Sequence, residues 1–168
     1  ESQKAVAKLD VIIGDPDRLR AVANDFIAHY EARVAEKATV AGKAMFVCSN
    51  RYIAYDFYKI LVELRPDWAV KQICDDGVIL SEADKKELKP MEKLQMVMTR
   101  SKDDVKELYD MLGTNEYRKE LDRQFKNIKS NFKIAIVVDM WLTGFDVPCL
   151  DTIYIDKPIQ QHSLIQTI

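Results

Sequence analysis

The stretch that decides the fold is KIAIVVDMWLTGFDVPCLDTIYIDKP, Lys133 to Pro158. Ile134, Ala135, Ile136, Val137 and Val138 form an unbroken apolar run. A run of that length, bounded by a charge, fits a strand covered on both faces, as in a parallel α/β sheet. Asp139 ends it, and a loop follows with Thr143, Gly144, Phe145, Asp146 and Pro148. Thr152 to Ile155 makes a second short strand, closed by Asp156 and Pro158. Open α/β sheets bind ligands at the carboxyl ends of their strands, so the loop between these two is where chemistry is expected.

Upstream, strand and helix signals alternate. Asp15-Pro16 is a helix start, and Leu19, Val22, Ala23, Phe26, Ile27, Tyr30 and Val34 then recur at three- and four-residue steps. Lys43 to Cys48 is a strand, Ser49 and Asn50 cap the helix after it, and Ile53, Phe57, Leu61 and Leu64 form that helix's stripe. Ala69 to Cys74 reads as a strand, Ser81 to Asp84 as a capping box before a short helix, and Leu94 to Thr99 as a strand. Ser101 and Asp104 form a second capping box, with Val105, Leu108 and Leu112 buried and Gly113 ending the helix. Thr114 caps a further helix with Tyr117, Leu121, Phe125 and Ile128 inside, and His162 to Ile168 opens a last one. The alternation predicts an α/β fold with a parallel sheet and right-handed crossovers.

Composition narrows the class. The 168 residues, 48% apolar and 31% charged, suit one globular domain. No apolar run reaches the ~18 residues of a membrane span. Cys48, Cys74 and Cys149 lack the spacing of a disulfide frame or zinc site and read as reduced thiols. Neither His29 nor His162 has a ligand partner at metal spacing, so both read as structural, and Met91, Met96, Met98 and Met111 as core filler. Arg118, Lys119, Arg123, Lys126, Lys129 and Lys133 against Glu120 and Asp122 make a basic stretch, either a partner-facing patch or a solvated helix face. Ala41-Gly42-Lys43-Ala44 lacks the glycine, loop length and hydroxyl of a phosphate-binding loop, and no glycine cluster suits a dinucleotide. The start at Glu1 and the stop at Ile168, inside a helical pattern, read as a piece of a larger protein.

The run IAIVVDMWLTGFDVPCLDTIYIDKPIQQHSLIQTI resembles the motor subunit (R subunit) of type I restriction–modification enzymes. More broadly, it resembles motif V and the opening of motif VI of superfamily 2 helicases. KAMFVCSNR, Lys43 to Arg51, is similar to motif IV, and VMTRS, Val97 to Ser101, to the next strand end. Arg118, seven residues before Phe125, matches the Arg-to-Phe helix that the superfamily places ahead of motif V. The resemblance covers roughly Gly42 to Ile168, not the stretch from Asp75 to Pro90.

It implies a second RecA-like domain at 42–168, truncated within motif VI and without its own P-loop, preceded by a helical linker at 1–41. It implies ATP contacts at Thr143, Gly144, Asp146 and Gln166, with Mg²⁺ held by the first RecA-like domain. DNA contacts are implied at Ser49, Asn50, Arg51, Thr99, Arg100 and Ser101, with capping the parallel expectation for Ser49, Asn50 and Ser101. Val138 and Thr143 replace the Thr and Arg that many helicases carry there, and Trp141 either stacks on a base or plugs the gap behind the loop. Partners implied are double-stranded DNA, the first motor domain and nuclease domain of the same chain, and methylation and specificity subunits, in the cytoplasm. No catalytic residue is expected within 1–168, and the motif VI arginines are expected beyond it. The competing expectations are a stand-alone nucleotide-binding α/β domain and a non-catalytic docking module that uses the helix from Asp15 to Lys37.

Overall fold

The computed structural model describes residues 14–39, 41–138, 150–156 and 164–167. Helix α1 (Pro16–Ala35) starts where the sequence places it, with the Asp15 carboxylate accepting from the Arg18 N–H at 3.0 Å. Strand β1 (Lys43–Cys48) is buried along its whole length and leads into helix α2 (Arg51–Leu64). A 3₁₀ turn (Pro66–Ala69) and a two-residue strand β2 (Lys71–Gln72) follow. Helix α3 (Glu82–Glu87) opens on the expected Ser81–Asp84 capping box. Next come β3 (Met91–Glu92), β4 (Leu94–Met96), α4 (Lys106–Leu112) and α5 (Asn115–Lys126). Strands β5 (Ile134–Val138), β6 (Leu150–Asp156) and β7 (Leu164–Thr167) close the described chain.

The main sheet has the order β4-β5-β1-β6-β7. The first four strands are parallel, and β7 runs antiparallel on the β6 edge. Alternation along the strands builds two cores. Ala44, Phe46, Cys48, Ile134 and Ile136 face one side, where α1, α2 and α4 deliver Phe26, Phe57 and Leu108. Met45, Val47, Ala135 and Val137 face the other, against Leu121 and Phe125 of α5. Coverage on both faces is why β1 and β5 read as continuous apolar runs. Helix α1 spends its apolar stripe on this core, with Phe26 edge-on to Phe46 at 5.3 Å and to Tyr154 at 4.7 Å.

Several expectations are corrected. The segment 164–167, expected to be helical, is a strand whose Thr167 lies opposite Thr152. Ile and Thr favour extended backbone, and the open edge of β6 offers ladder partners that so short a helix would lack. The strand expected over Ala69 to Cys74 shrinks to β2, which pairs with β3 outside the main sheet because Lys71 and Gln72 are exposed and offer no apolar face. Ser101 and Asp104 do not start α4, whose N-cap position is Val105. Ile128 lies beyond α5 and is exposed; Gln124 is buried instead, its amide donating to the Glu87 carbonyl at 2.9 Å. Lys43 is also buried, its Nζ donating to the Phe132 carbonyl at 2.6 Å.

Other expectations match. Gly113 ends α4 at φ +73°, where a Cβ would meet Tyr117 Cδ2 at 2.6 Å. His29 Nδ1 lies 2.5 Å from the Tyr154 hydroxyl, a structural contact. Met91, Met96 and Met98 are core residues. Cys48 and Cys74 are free thiols, while Cys149 lies outside the described residues. Arg123, Lys126 and Lys129 of the basic stretch pair with Glu120, Asp122 and Asp84, which favours a solvated face over a patch held open for a partner, while Lys133 is buried and lies 3.7 Å from Asp75. Among the described residues no helix is long and apolar enough to cross a membrane.

Candidate functional site

Four parallel strands put four exits on one rim. Strand β1 leaves through Cys48 into Ser49, Asn50 and α2, and β4 leaves through Val97 towards Thr99, Arg100 and Ser101. Strand β5 ends there at Val138, where the segment 139–149 begins, and β6 ends there at Asp156. All six residues expected at nucleic acid therefore lie at two loops on this carboxyl rim. Of the four expected at ATP, Thr143, Gly144 and Asp146 lie outside the described residues, as does Trp141. Gln166 stands in β7 with its backbone paired opposite Ile153.

The two loops are tied together by an ion pair. Arg51 Nε donates to Asp104 Oδ1 at 2.8 Å, and a second guanidinium nitrogen donates to Oδ2 at 2.5 Å. That second nitrogen also donates to the Thr99 carbonyl at 3.0 Å. The Asp104 side chain is 0% exposed and also accepts from the Ser101 N–H at 2.7 Å. The expected Ser101–Asp104 box is half formed: the carboxylate accepts from the Ser101 N–H, but the Asp104 N–H donates to the Ser101 carbonyl at 3.0 Å and not to its hydroxyl, so the segment closes a turn and does not open α4. Asn50 does cap α2, its Oδ1 accepting from the N–H groups of Tyr52 and Ile53 at 3.0 and 2.9 Å. Ser101 Oγ accepts from the Asp103 N–H at 3.3 Å. Thr99 is exposed. Arg100 lies over the Tyr109 ring, 3.9 Å from its centroid.

At the end of β6, buried Asp156 receives two hydrogen bonds from Arg18 in the first turn of α1, one of them at 3.1 Å. Burial pushes the neighbouring Cys48 thiol far above its usual range; the Asp156 charge adds to this and Arg18 opposes it, so this thiol is a poor nucleophile. Asp104 shows competing influences. Burial alone would raise its pKa, but the Arg51 and Ser101 hydrogen bonds outweigh that and hold it below 3.8. A carboxyl lowered on folding stabilises the protein above its unfolded value, and that contribution fades as pH falls through the folded value. Asp104→Asn should therefore lower the melting temperature at neutral pH, and its difference from the parent protein should shrink as pH falls below about 4. A gap that held constant into acid would mean that the pair contributes nothing.

What this rim supplies is hydrogen-bond donors and positive charge, suited to holding an oxyanion. Among the described residues no group of three His, Cys, Asp or Glu side chains is placed to hold a metal. Sequence reasoning missed Asp104 as an ionic partner and Asp156 as a buried rim acid. Arg51–Asp104 spans 53 residues and Arg18–Asp156 spans 138, and neither separation leaves a local signal.

The family model for type I restriction enzyme subunit R domain 3 matches residues 40–168. The chain belongs to that family. It is 36% identical over 157 residues to the HindI endonuclease subunit of a type I restriction enzyme from Haemophilus influenzae, covering 94% of this chain and 13% of that protein. It is likewise 36% identical over 170 residues to the putative type I restriction enzyme MjaIXP endonuclease subunit of Methanocaldococcus jannaschii, covering 100% of this chain and 14% of that one. A shorter match, 47% over 58 residues, links it to the SauCOLORF180P endonuclease subunit of Staphylococcus aureus, covering 32% of this chain and 6% of that protein. The chain thus spans about one-seventh of the length of these first two relatives. The α/β architecture, mainly parallel, is that expected for a RecA-like part of subunit R.

Proposed function

We propose that this part of subunit R is the second RecA-like domain of an ATP-driven DNA translocase that feeds a type I restriction endonuclease. The observation that carries this reading is the gathering of Ser49–Arg51 and Thr99–Ser101 on the one sheet rim from which the 139–149 segment also departs. That is the rim at which parallel α/β sheets bind ligands. Contacts from Ser49, Asn50, Arg51, Thr99, Arg100 and Ser101 would go to phosphates, since a translocase must accept any sequence. ATP would lie against Thr143, Gly144, Asp146 and Gln166, with Mg²⁺ held by the first RecA-like domain. Further partners would be the nuclease domain of the same polypeptide and the methylation and specificity subunits, in the cytoplasm. The alternative of a docking module built on α1 is disfavoured because Leu19, Ala23, Phe26, Ile27 and Tyr30 of that helix are already buried in the core.

Two measurements test the reading. Intact subunit R should bind duplex DNA without sequence preference, and its affinity should fall steeply with salt as counterions are released. Residues 1–168 alone should hydrolyse no ATP above background, because a P-loop and an arginine finger, the latter worth roughly 10³–10⁵ in rate, are needed from elsewhere. Salt-insensitive or absent DNA binding by the intact subunit would overturn the assignment of the rim. ATP turnover by residues 1–168 alone would overturn the division of the motor into two halves.

A further inference from the structure

At the opposite end of the sheet, where the parallel strands begin, the domain carries an open groove of about 800 Å³. Gly42 leads into β1, Lys93 into β4 and Lys133 into β5, and all three line it. Its apolar lining includes buried Trp68 and, at 44%, 40% and 46% exposure, Val34, Val78 and Ile128. Chain neighbours extend the patch. Ile79, next to Val78, is 89% exposed, and Ile73, whose carbonyl accepts from the Asn131 N–H between Ile128 and Lys133, is 43% exposed. Single aliphatic side chains in water are ordinary, but several around one groove mark a surface that another surface covers. The charges there are unequally matched. Glu31 binds Arg65, Lys129 binds Asp84, and Asp75 lies 3.7 Å from Lys133. Exposed Lys37 and half-buried Lys93 have no ion pair among the described residues, against one lining acid in that state, exposed Asp67. Covering Lys93 with a purely apolar surface would strip water from an unpaired ammonium, so the covering surface needs a carboxylate.

We propose that this groove at the amino ends of the strands is the seat of another segment of subunit R, from outside residues 1–168, which lays aliphatic side chains on Val34, Val78 and Ile128 and sets a carboxylate against Lys93. The first two relatives are about seven times the length of this chain, so a polypeptide of that size has ample sequence to supply it. A tethered segment is favoured over a second copy. A groove of about 800 Å³ takes a handful of side chains, whereas a stable interface between free proteins uses roughly 20–30 residues a side. Tethering replaces that area with an effective concentration in the millimolar range. The seat leaves the carboxyl rim open, and it holds whether or not that rim binds ATP or DNA.

The test uses intact subunit R, with maleimide labelling read by peptide mass analysis. Ile79→Cys should react roughly tenfold or more slowly in the native protein than after unfolding in urea, because a closed seat must open before the thiol is reached. At 89% exposure within this domain, the position has no other source of protection among the described residues. Carbodiimide coupling, which joins an amine directly to a carboxylate, should link Lys93 to an Asp or Glu outside residues 1–168 in a species of monomer mass. Lys93→Glu should return the labelling of Ile79→Cys towards the unfolded rate, and Lys93→Arg should not. Should Lys93→Glu lower the melting temperature, Lys93→Gln carries the same comparison. Labelling of Ile79→Cys at the unfolded rate would sink the seat. Protection that rises with protein concentration, with a coupled species of dimer mass, would overturn the tethered segment in favour of a second copy. Protection that appears only with added methylation or specificity subunits would overturn it in favour of those. Coupling of Lys93 to Glu31, Asp67 or Asp75 alone, or protection unchanged in both Lys93→Glu and Lys93→Gln, would remove the carboxylate from the proposal.

Discussion

Replacing Phe57 by alanine should cost about 3–5 kcal/mol of stability, the usual range for a phenylalanine removed from a packed interior. Phe57 is 0% exposed. Its ring stacks on Phe46 of β1 with centroids 4.1 Å apart and tilts against Phe26 of α1 at 6.2 Å. The vacated space is bounded by three elements that hold one another in place, so it has little room to collapse. For a chain of this size the loss corresponds to a fall in melting temperature of roughly 6–20 °C. The effect should reach the rim as well, because α2 carries Asn50 and Arg51 at its start. Thermal denaturation checks the first expectation, and a fall of less than about 2 °C would mean that the aromatic cluster is not the centre of the core.

The second large effect is on turnover. Asp146→Ala in intact subunit R should lower DNA-stimulated ATP hydrolysis by roughly 10²-fold or more while leaving the melting curve in place. The run DMWLTGFDVP resembles motif V, which implies a nucleotide contact for Asp146. A carboxylate in that role would accept from a ribose hydroxyl or hold a motif VI arginine. In the second role its removal forfeits part of the roughly 10³–10⁵ that a well-placed arginine supplies. Steady-state ATPase assays with and without DNA decide the matter, and unchanged turnover would remove Asp146 from the site. Phe57→Ala and Asp146→Ala are therefore complementary: one should lower stability, the other rate.

Features written locally in the chain were legible from it. The Asp15-Pro16 start of α1, the Asn50 cap of α2, the Thr114 cap of α5 and the apolar runs of β1 and β5 each rest on neighbours within a few residues. What was not legible depends on distant partners. Asp104 carries the spacing of a helix cap, yet it closes a turn with Ser101 and its carboxylate also binds Arg51 at the start of α2. Lys43 and Gln124 are polar by composition and buried in fact, because backbone carbonyls of Phe132 and Glu87 meet them inside. Residues 164–167 follow the free edge of β6, not their local pattern. At the candidate site, the sequence located the two rim loops but not the unequal states of Arg51 and Arg100, which depend on Asp104 and Tyr109.

The strand order carries a consequence for biosynthesis. Strand β1 is made before the other described strands, yet both of its neighbours, β5 and β6, follow far later in the sequence. A ribosome working at ~5–20 residues per second must add about ninety more residues before either neighbour exists, a delay of several seconds. Throughout that interval, Lys43 to Cys48 lacks both of the strands that flank it in the folded sheet, and an unpaired apolar strand is a template for adhesion to other chains.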